Sequence, residues 1–272
     1  MGKPKIFLGC DLSTAEDRIT KVRTKSPRLI ERARLHPTEH DEHKMTATQI
    51  FHIPVEEIDY QKRYLAKRGR HSFNYGVGGQ RLSDELLKEG FVLPSEECDL
   101  IIEAIANLDP EIREGYQRGI RRELMASDTR SLRNAWGFGV SFKWNRMDDD
   151  LYRRAYAWKP QGECAQIMNM WGLKPAHALF RDHPSWGRIN QNGHDSLLMS
   201  VLPTRVFDMA TFLTATLEQP VDYDGVELTI PVEFSMGTSW KCEKEFKVLP
   251  SRAEMTEMAV GLWEKLYNQQ WS

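Results

Sequence analysis

The sequence predicts an α+β fold in which a long helical stretch interrupts a small antiparallel sheet, and three observations carry that prediction. The apolar run Lys5-Ile6-Phe7-Leu8-Gly9-Cys10 stands directly before Asp11, as in a buried strand that delivers an acid at its C-terminal end. Helical spacing and helix-start signals dominate the middle of the chain as far as Trp171. After Gly187 the pattern returns to strands, because Arg188-Ile189-Asn190-Gln191 and residues 195–202 flank Asn192-Gly193, a pair strongly favoured in two-residue hairpin turns. His194 and Asp195 therefore belong at or beside a hairpin tip.

Between these strands the elements follow in order. Residues 27–52 are polar and rich in charge and His, and Pro54 with Glu56-Glu57 marks a helix start. A helix is expected from about Tyr60 to Tyr75. Ser83 reads as the N-cap of a short helix stopped by Gly90, and Ser95 as the cap of one whose apolar face carries Leu100, Ile101, Ala104, Ile105 and Leu108. Asp109-Pro110 opens another, to about Ala126. Residues 151–171 are again helical in composition, with a break expected at Pro160-Gln161-Gly162. Near the end, Val206, Met209, Ala210, Leu213 and Leu217 fall at helical spacing, and Val226 to Phe234 reads as a closing strand. Met255, Met258, Ala259, Leu262, Trp263 and Leu266 mark a tail helix.

Composition excludes several classes. In 272 residues, 37 Lys and Arg against 39 Asp and Glu nearly cancel, so only a local stripe of charge can mark a nucleic-acid site. Cys10, Cys98, Cys164 and Cys242 are widely spaced with no C-x-x-C pair, which argues for unpaired thiols in a reducing compartment and against zinc. No apolar run approaches the roughly 18–20 residues of a membrane span, and no signal-peptide core is evident. The expected location is the cytoplasm.

Two carboxylates far apart in sequence, each at a strand edge, suit a two-metal phosphoryl-transfer site, where ions about 3.5–4 Å apart clamp the attacking and leaving oxygens. Arg63, Lys67, His71 and Tyr75 recur every fourth residue, which makes one slowly drifting stripe on a helix. Such a face can track a triphosphate and finish with an aromatic ring. The plainer reading is a solvated basic face, broadened by Lys62, Arg68 and Arg70.

The segment Asp11-Leu12-Ser13-Thr14-Ala15-Glu16-Asp17-Arg18 resembles motif A of the family A DNA polymerases, the bacterial DNA polymerase I type, which reads D-Y-S-x-x-E-x-R. Arg63-x-x-x-Lys67 followed by Tyr75-Gly76 resembles motif B, and Gly193-His194-Asp195-Ser196 resembles motif C, usually V-H-D-E. The segment from Asp41 to Ala47 is similar to the D-x-H-x-x-T-A segment of the fingers, Arg153 through Gly162 to the primer-template helix, and Pro231-Val232-Glu233 to a strand near the family's C-terminus.

The resemblance implies DNA-directed DNA synthesis from dNTPs on a DNA primer-template with two Mg²⁺ ions. Asp11, Asp195 and the Leu12 carbonyl would be the metal ligands. His43, Arg63, Lys67, His71 and Tyr75 would bind the nucleotide, with Lys67 also neutralising the departing pyrophosphate. Glu16 against Tyr75 would exclude a ribose 2′-hydroxyl, His194 would steady the primer terminus, and Arg153 and Gln161 would read the nascent duplex. Leu12 replaces the usual Tyr, His71 a Phe as in phage-type members, Ala157 an Asn and Ser196 the motif C Glu. Gly69 within the basic helix costs up to about 1 kcal/mol and suggests a helix that bends or orders on substrate binding.

By the same resemblance the fold is a palm with a small antiparallel sheet and a helical fingers insertion: palm 1–16, fingers 17–148, palm 149–252 and a helical tail 253–272. The thumb and exonuclease-like domains of the family precede motif A and are absent here. Either the chain is a piece of a longer one or the polymerase is split; the Met1-Gly2-Lys3 start and the tail helix favour a natural subunit with a second polypeptide as partner. The alternatives are a single-subunit-type RNA polymerase, against which Glu16 argues, and a catalytically silent DNA-binding replisome subunit. A phage source, in a host cytoplasm, fits His71 and the compact length.

Overall fold

The computed structural model describes residues 5–270, and side chains to residue 266; the Met1-Gly2-Lys3 start and the last two residues of the tail lie outside them. The chain opens on β1 (Ile6–Leu12) and continues through α1 (Ala15–Arg23), α2 (Pro27–Arg34), α3 (Glu42–Phe51), α4 (Tyr60–Asn74), α5 (Gly79–Lys88), α6 (Ser95–Leu108) and α7 (Arg118–Ala126). A small hairpin of β2 (Ser131–Arg133) and β3 (Gly139–Ser141) precedes α8 (Asp149–Ile167) and α9 (Lys174–Asp182). Then come β4 (Gly187–Asn192), β5 (Ser196–Val201), α10 (Val206–Leu217), β6 (Val221–Asp222), β7 (Glu227–Leu228), β8 (Val232–Gly237), β9 (Lys244–Phe246) and α11 (Arg252–Gln270).

Internal contacts divide the chain into two compact units: one takes residues up to 15, 161–221 and from 229 onward, the other 16–160 and 222–228.

The first unit is built on a sheet of strand order β4-β5-β1-β8-β9, antiparallel throughout. β1 alternates as a strand covered on one face must: Ile6, Leu8, Cys10 and Leu12 are buried, while Phe7, Gly9 and Asp11 take the other face. Helices α10 and α11 lie against β1 and β8. The five apolar positions read from α10 are all buried, and each large one stabilises the unit by about 1.5–3 kcal/mol. In the tail helix Met255, Ala259 and Leu262 are buried, so part of its apolar face is core.

Two strand expectations are corrected. The hairpin loop is Gly193-His194-Asp195 rather than Asn192-Gly193, because Asn192 still pairs with Leu197 and the Gly193 amide donates to the Ser196 carbonyl at 2.8 Å. The closing strand is not continuous from Val226 to Phe234. Pro231 has no N–H to give, its carbonyl accepts from the Ser13 amide (2.9 Å), and the Val232 amide turns to the Glu218 carboxylate (2.9 Å), so β7 and β8 are separate strands.

The second unit is mainly helical. Asp41 caps α3 by accepting from the amides of His43 and Lys44, and Asp59 caps α4 by accepting from that of Lys62 at 2.8 Å. Gly69 serves packing rather than bending: a Cβ there would stand 2.5 Å from Ile101 Cγ2, so α4 and α6 touch at that point. Ser83 lies inside α5 and donates to the Leu93 carbonyl; Gly78 is the cap instead. Pro160 does not break α8. The Tyr156 carbonyl, which Pro160 cannot satisfy, accepts from the Tyr116 hydroxyl, and the helix runs on.

Candidate functional site

In the first unit β1 brings Asp11 to the end of the sheet, opposite Ser196 on one side and Glu233 on the other. Asp195 stands just before β5, where its carbonyl accepts from the Leu12 amide at 3.0 Å. The backbones carrying the two acids are thus tied to each other. Asp11 is exposed and the Asp195 side chain is one-third exposed, with His194 Nδ1 3.4 Å from its Oδ1. Gly193 permits this tight loop, since a Cβ would fall 2.4 Å from Ser196 Oγ. Burial, then the charges of Asp11 and Glu218, push the Cys10 thiol well up, which keeps it from serving as a thiolate ligand.

This donor set suits a hard divalent cation: wet carboxylate oxygens on a fixed backbone and no available thiolate. Among the described residues no three His, Cys, Asp or Glu side chains converge on one point. A cation held here would complete its shell from backbone, water or substrate, as Mg²⁺ commonly does.

In the second unit α4 presents the predicted stripe. Lys67 is exposed, and Arg63 is partly exposed with its Nε 3.0 Å from Asp41 Oδ2, so the cap of α3 also holds this guanidinium. His43, in the first turn of α3, is buried, and its Nδ1 has no hydrogen-bond partner. Burial, with Arg63, Lys67 and Arg70 nearby and Asp17 opposing, lowers its pKa to about 4. At neutral pH it is an uncharged ring with an unsatisfied nitrogen. At the far end of the stripe the Tyr75 hydroxyl donates to Glu16 Oε2, and His71 packs edge-on against Tyr75 at 4.7 Å between ring centroids.

The three cations expected to broaden the field do not all do so. Arg70 is buried and bonds Asp109 (2.7 Å), Glu42 (3.1 Å) and the Thr46 hydroxyl. Arg68 pairs with Glu85 and Glu89, and Lys62 with its own cap residue Asp59. Lys21 lies between Asp17 (2.6 Å) and Glu42 (2.5 Å), and Arg32 joins Glu42 to Asp109. Burial opposes ionisation of these acids, but Lys21 and Arg70 outweigh it at Asp17, whose pKa falls to about 2, and Arg70 with Lys21 holds Glu42 well below the carboxylate range. This buried network is what sequence reading missed. The excess of charge in residues 27–52 was its one visible trace.

Arg153 and Gln161 both lie on α8, Arg153 in the second unit near Asp150 (3.5 Å) and Gln161 in the first. The Arg153 Nε is buried without a partner. The short β2–β3 hairpin, unforeseen in the sequence, exposes Phe138, with Trp144 exposed just beyond it and the Lys143 ammonium over the Trp144 ring at 5.0 Å.

The chain belongs to DNA polymerase family A, whose family model matches residues 2–242. It is similar to the thermostable DNA polymerase I of Thermus thermophilus, 26% identical over 213 residues covering 75% of this chain and 23% of that protein. The thermostable DNA polymerase I of Thermus aquaticus is 27% identical over 217 residues, covering 75% and 24%. The chain spans about a quarter of the length of these curated relatives. Among solved structures, the POL domain of Pol1 from M. smegmatis, in complex with DNA primer-template and dNTP, matches with a TM-score of 0.68 at 20% identity, covering 88% of this chain and 40% of that one. The palm-and-fingers α+β architecture is therefore the fold of this chain.

Proposed function

We propose that this chain is the palm-and-fingers portion of a DNA-directed DNA polymerase, joining dNTPs to a primer 3′-hydroxyl by two-metal phosphoryl transfer. The observation that carries the reading is the backbone bond from Leu12 to Asp195, which ties the two strand-end acids together in a chain of this family. Asp11, Asp195 and the Leu12 carbonyl hold two Mg²⁺ ions. When bound, these supply charge stabilisation at the attacking and leaving oxygens.

The other roles follow the place each residue takes on its element. Lys67, exposed, meets the triphosphate and neutralises the departing pyrophosphate; Arg63 and His43 help hold it. His71 and Tyr75 take the nucleoside end, and Glu16, fastened by Tyr75, occupies the space of a 2′-hydroxyl. His194 steadies the primer terminus, while Arg153 and Gln161 contact primer-template. We assign the first unit to the palm, the second to the fingers and the tail helix to the palm's core. The relatives extend for about three quarters of their length beyond the match, and we place the remaining grip on the duplex outside these 272 residues, on a second polypeptide or on more of the same one.

No helix among the described residues is long and apolar enough to cross a membrane, and we propose a cytoplasmic site of action. Primer extension with Mg²⁺ and dNTPs, repeated with rNTPs, tests the reading. Extension with dNTPs alone supports it; equal use of rNTPs transfers it to an RNA polymerase, and binding of primer-template without extension to a silent replisome subunit.

A further inference from the structure

A helix ends on carbonyls that no later amide of its own can satisfy. At the C-terminal end of α4 the chain turns away at Gly76, whose φ of 68° is left-handed, and the Gly76 and Val77 amides reach back to the Phe73 and Ser72 carbonyls at 3.1 and 2.8 Å. A side chain from another element completes this end. Gln117 Nε2 donates to the carbonyl of Phe73 at 2.7 Å and to that of Asn74 at 3.2 Å, and all three residues are buried. Gln117 closes a π-helical turn, Ile112–Gln117, a rare form frequent at functional sites. The turn is seated by Gly115, where a Cβ would fall 2.8 Å from the Thr24 carbonyl oxygen, just beyond α1. It therefore braces the C-terminal ends of both helices whose Glu16 and Tyr75 are hydrogen-bonded to each other.

We propose that Gln117 is a positioning residue for sugar discrimination: its amide fixes the last turn of α4, and with it the backbone from which the Tyr75 hydroxyl reaches Glu16. The inference rests on the reading of Glu16 as the barrier to a 2′-hydroxyl. Without the amide, the Phe73 and Asn74 carbonyls lose a buried donor, and the end of α4 shifts with Tyr75 to find another. The Tyr75–Glu16 bond lengthens, and the carboxylate gains freedom to move aside for a ribose. Gln117 touches no nucleotide in this scheme, so its loss acts on the choice of sugar through Tyr75.

The test is Gln117→Met, which keeps the length of the side chain and removes its donor, in the full chain beside Glu16→Ala and the double variant. With 3-fluorotyrosine at position 75, the fluorine resonance reports the surroundings of the hydroxyl whether or not nucleotide is incorporated; Gln117→Met should move it part of the way from the parent's position to that of Glu16→Ala. In single-nucleotide incorporation the same variant should raise ribonucleotide use relative to deoxyribonucleotide use by roughly threefold, the weight of a modest hydrogen bond, whereas general loosening of the fold lowers both kcat/KM values alike. Added to Glu16→Ala it should change the ratio no further, because both act through one carboxylate. A resonance left at the parent's position, or a shifted resonance with an unchanged ratio, overturns the role of Gln117 while Glu16 stands. If Glu16→Ala itself leaves the ratio unchanged, the barrier falls, and Gln117 with it.

Discussion

The hydroxyl of Tyr75 donates to the carboxylate of Glu16, fastening the C-terminal end of α4 to the first turn of α1. Tyr75 is buried, the Glu16 side chain is 17% exposed, and His71 Nδ1 lies 3.8 Å from the same carboxylate. Glu16 is thereby engaged by two side chains of the α4 end, as the barrier proposed for it requires.

Glu16→Ala should therefore raise the use of ribonucleotides relative to deoxyribonucleotides by more than about tenfold, or about 1.4 kcal/mol of differential transition-state binding. Tyr75→Phe, which frees the carboxylate without removing it, should have a smaller effect in the same direction. The ratio of kcat/KM values for the two sugars decides. An unchanged ratio in Glu16→Ala removes Glu16 from this role.

Asp11→Ala and Asp195→Ala should each abolish incorporation while leaving the melting temperature within a degree or two of the parent, as surface changes within about 0.5 kcal/mol do. Asp11 is exposed near the end of β1 and the Asp195 side chain, in the loop before β5, is one-third exposed, so little packing is lost. Extension and thermal melting on the same samples check this, and near-normal synthesis by either variant contradicts the metal assignment.

Lys67→Ala should lower turnover at saturating dNTP, whereas Arg63→Ala should mainly raise KM. The difference follows from Arg63 being tied to Asp41, the cap of α3, so that its loss also loosens the turn carrying His43. Single-turnover kinetics separate chemistry from capture.

Stability should fall in two stages as pH is lowered. His43 has a folded pKa of about 4 against about 6.5 unfolded, so below about pH 6.5 the unfolded chain takes up a proton that the folded one refuses. That loss reaches roughly 3 kcal/mol by the time pH has fallen to its folded value. Asp17, at about 2, and Glu42, held well below its usual range, are depressed instead by cations, so their contribution is complete above the unfolded carboxylate values and is lost as pH falls through the folded ones. Urea melts across this range should show the first stage vanish in His43→Gln and the second persist.

The isolated chain should bind primer-template weakly and make short products. Each missing phosphate contact lowers the log–log salt slope of binding by about 0.7–0.9. Processive synthesis by these residues alone contradicts the proposal that the duplex grip lies elsewhere. Deleting residues 253–272 should unfold the first unit rather than only detach a partner, because Met255, Ala259 and Leu262 are buried there; circular dichroism distinguishes the two.

Where one period dominated, the sequence was legible: α4 and α10 lie where helical spacing set them, and β1 alternates in and out as its apolar run implied. The two acids stood out through the motifs they resemble, and Asp11 lies near the end of β1 with Asp195 just before β5. Arg70 was not, because a cation one turn from a basic stripe looks the same in sequence whether it meets water or Asp109, 39 residues away. Gly69 misled for the same reason, since the side chain that fills its missing Cβ belongs to another helix. Pro160 was read by its local rule, and the rule yielded to one distant tyrosine hydroxyl.

The network around Arg70 constrains how the helical unit could answer a nucleotide under the proposed function. Arg70 rides on α4, while its acids Glu42, Asp17 and Asp109 stand on α3, on α1 and after α6. A turn of α4 about its own axis would strand the buried Arg70 guanidinium, a penalty of several kcal/mol for an ion left unpaired, and would leave Asp17, Glu42 and Asp109 to Lys21 and Arg32 alone or nearly so. Substrate binding, under the proposed function, would therefore have no soft internal coordinate to use along this helix. Side-chain rearrangements at Lys67, Arg63 and His71 remain open to it, but α1, α3, α4 and the end of α6 must travel as one piece or not at all.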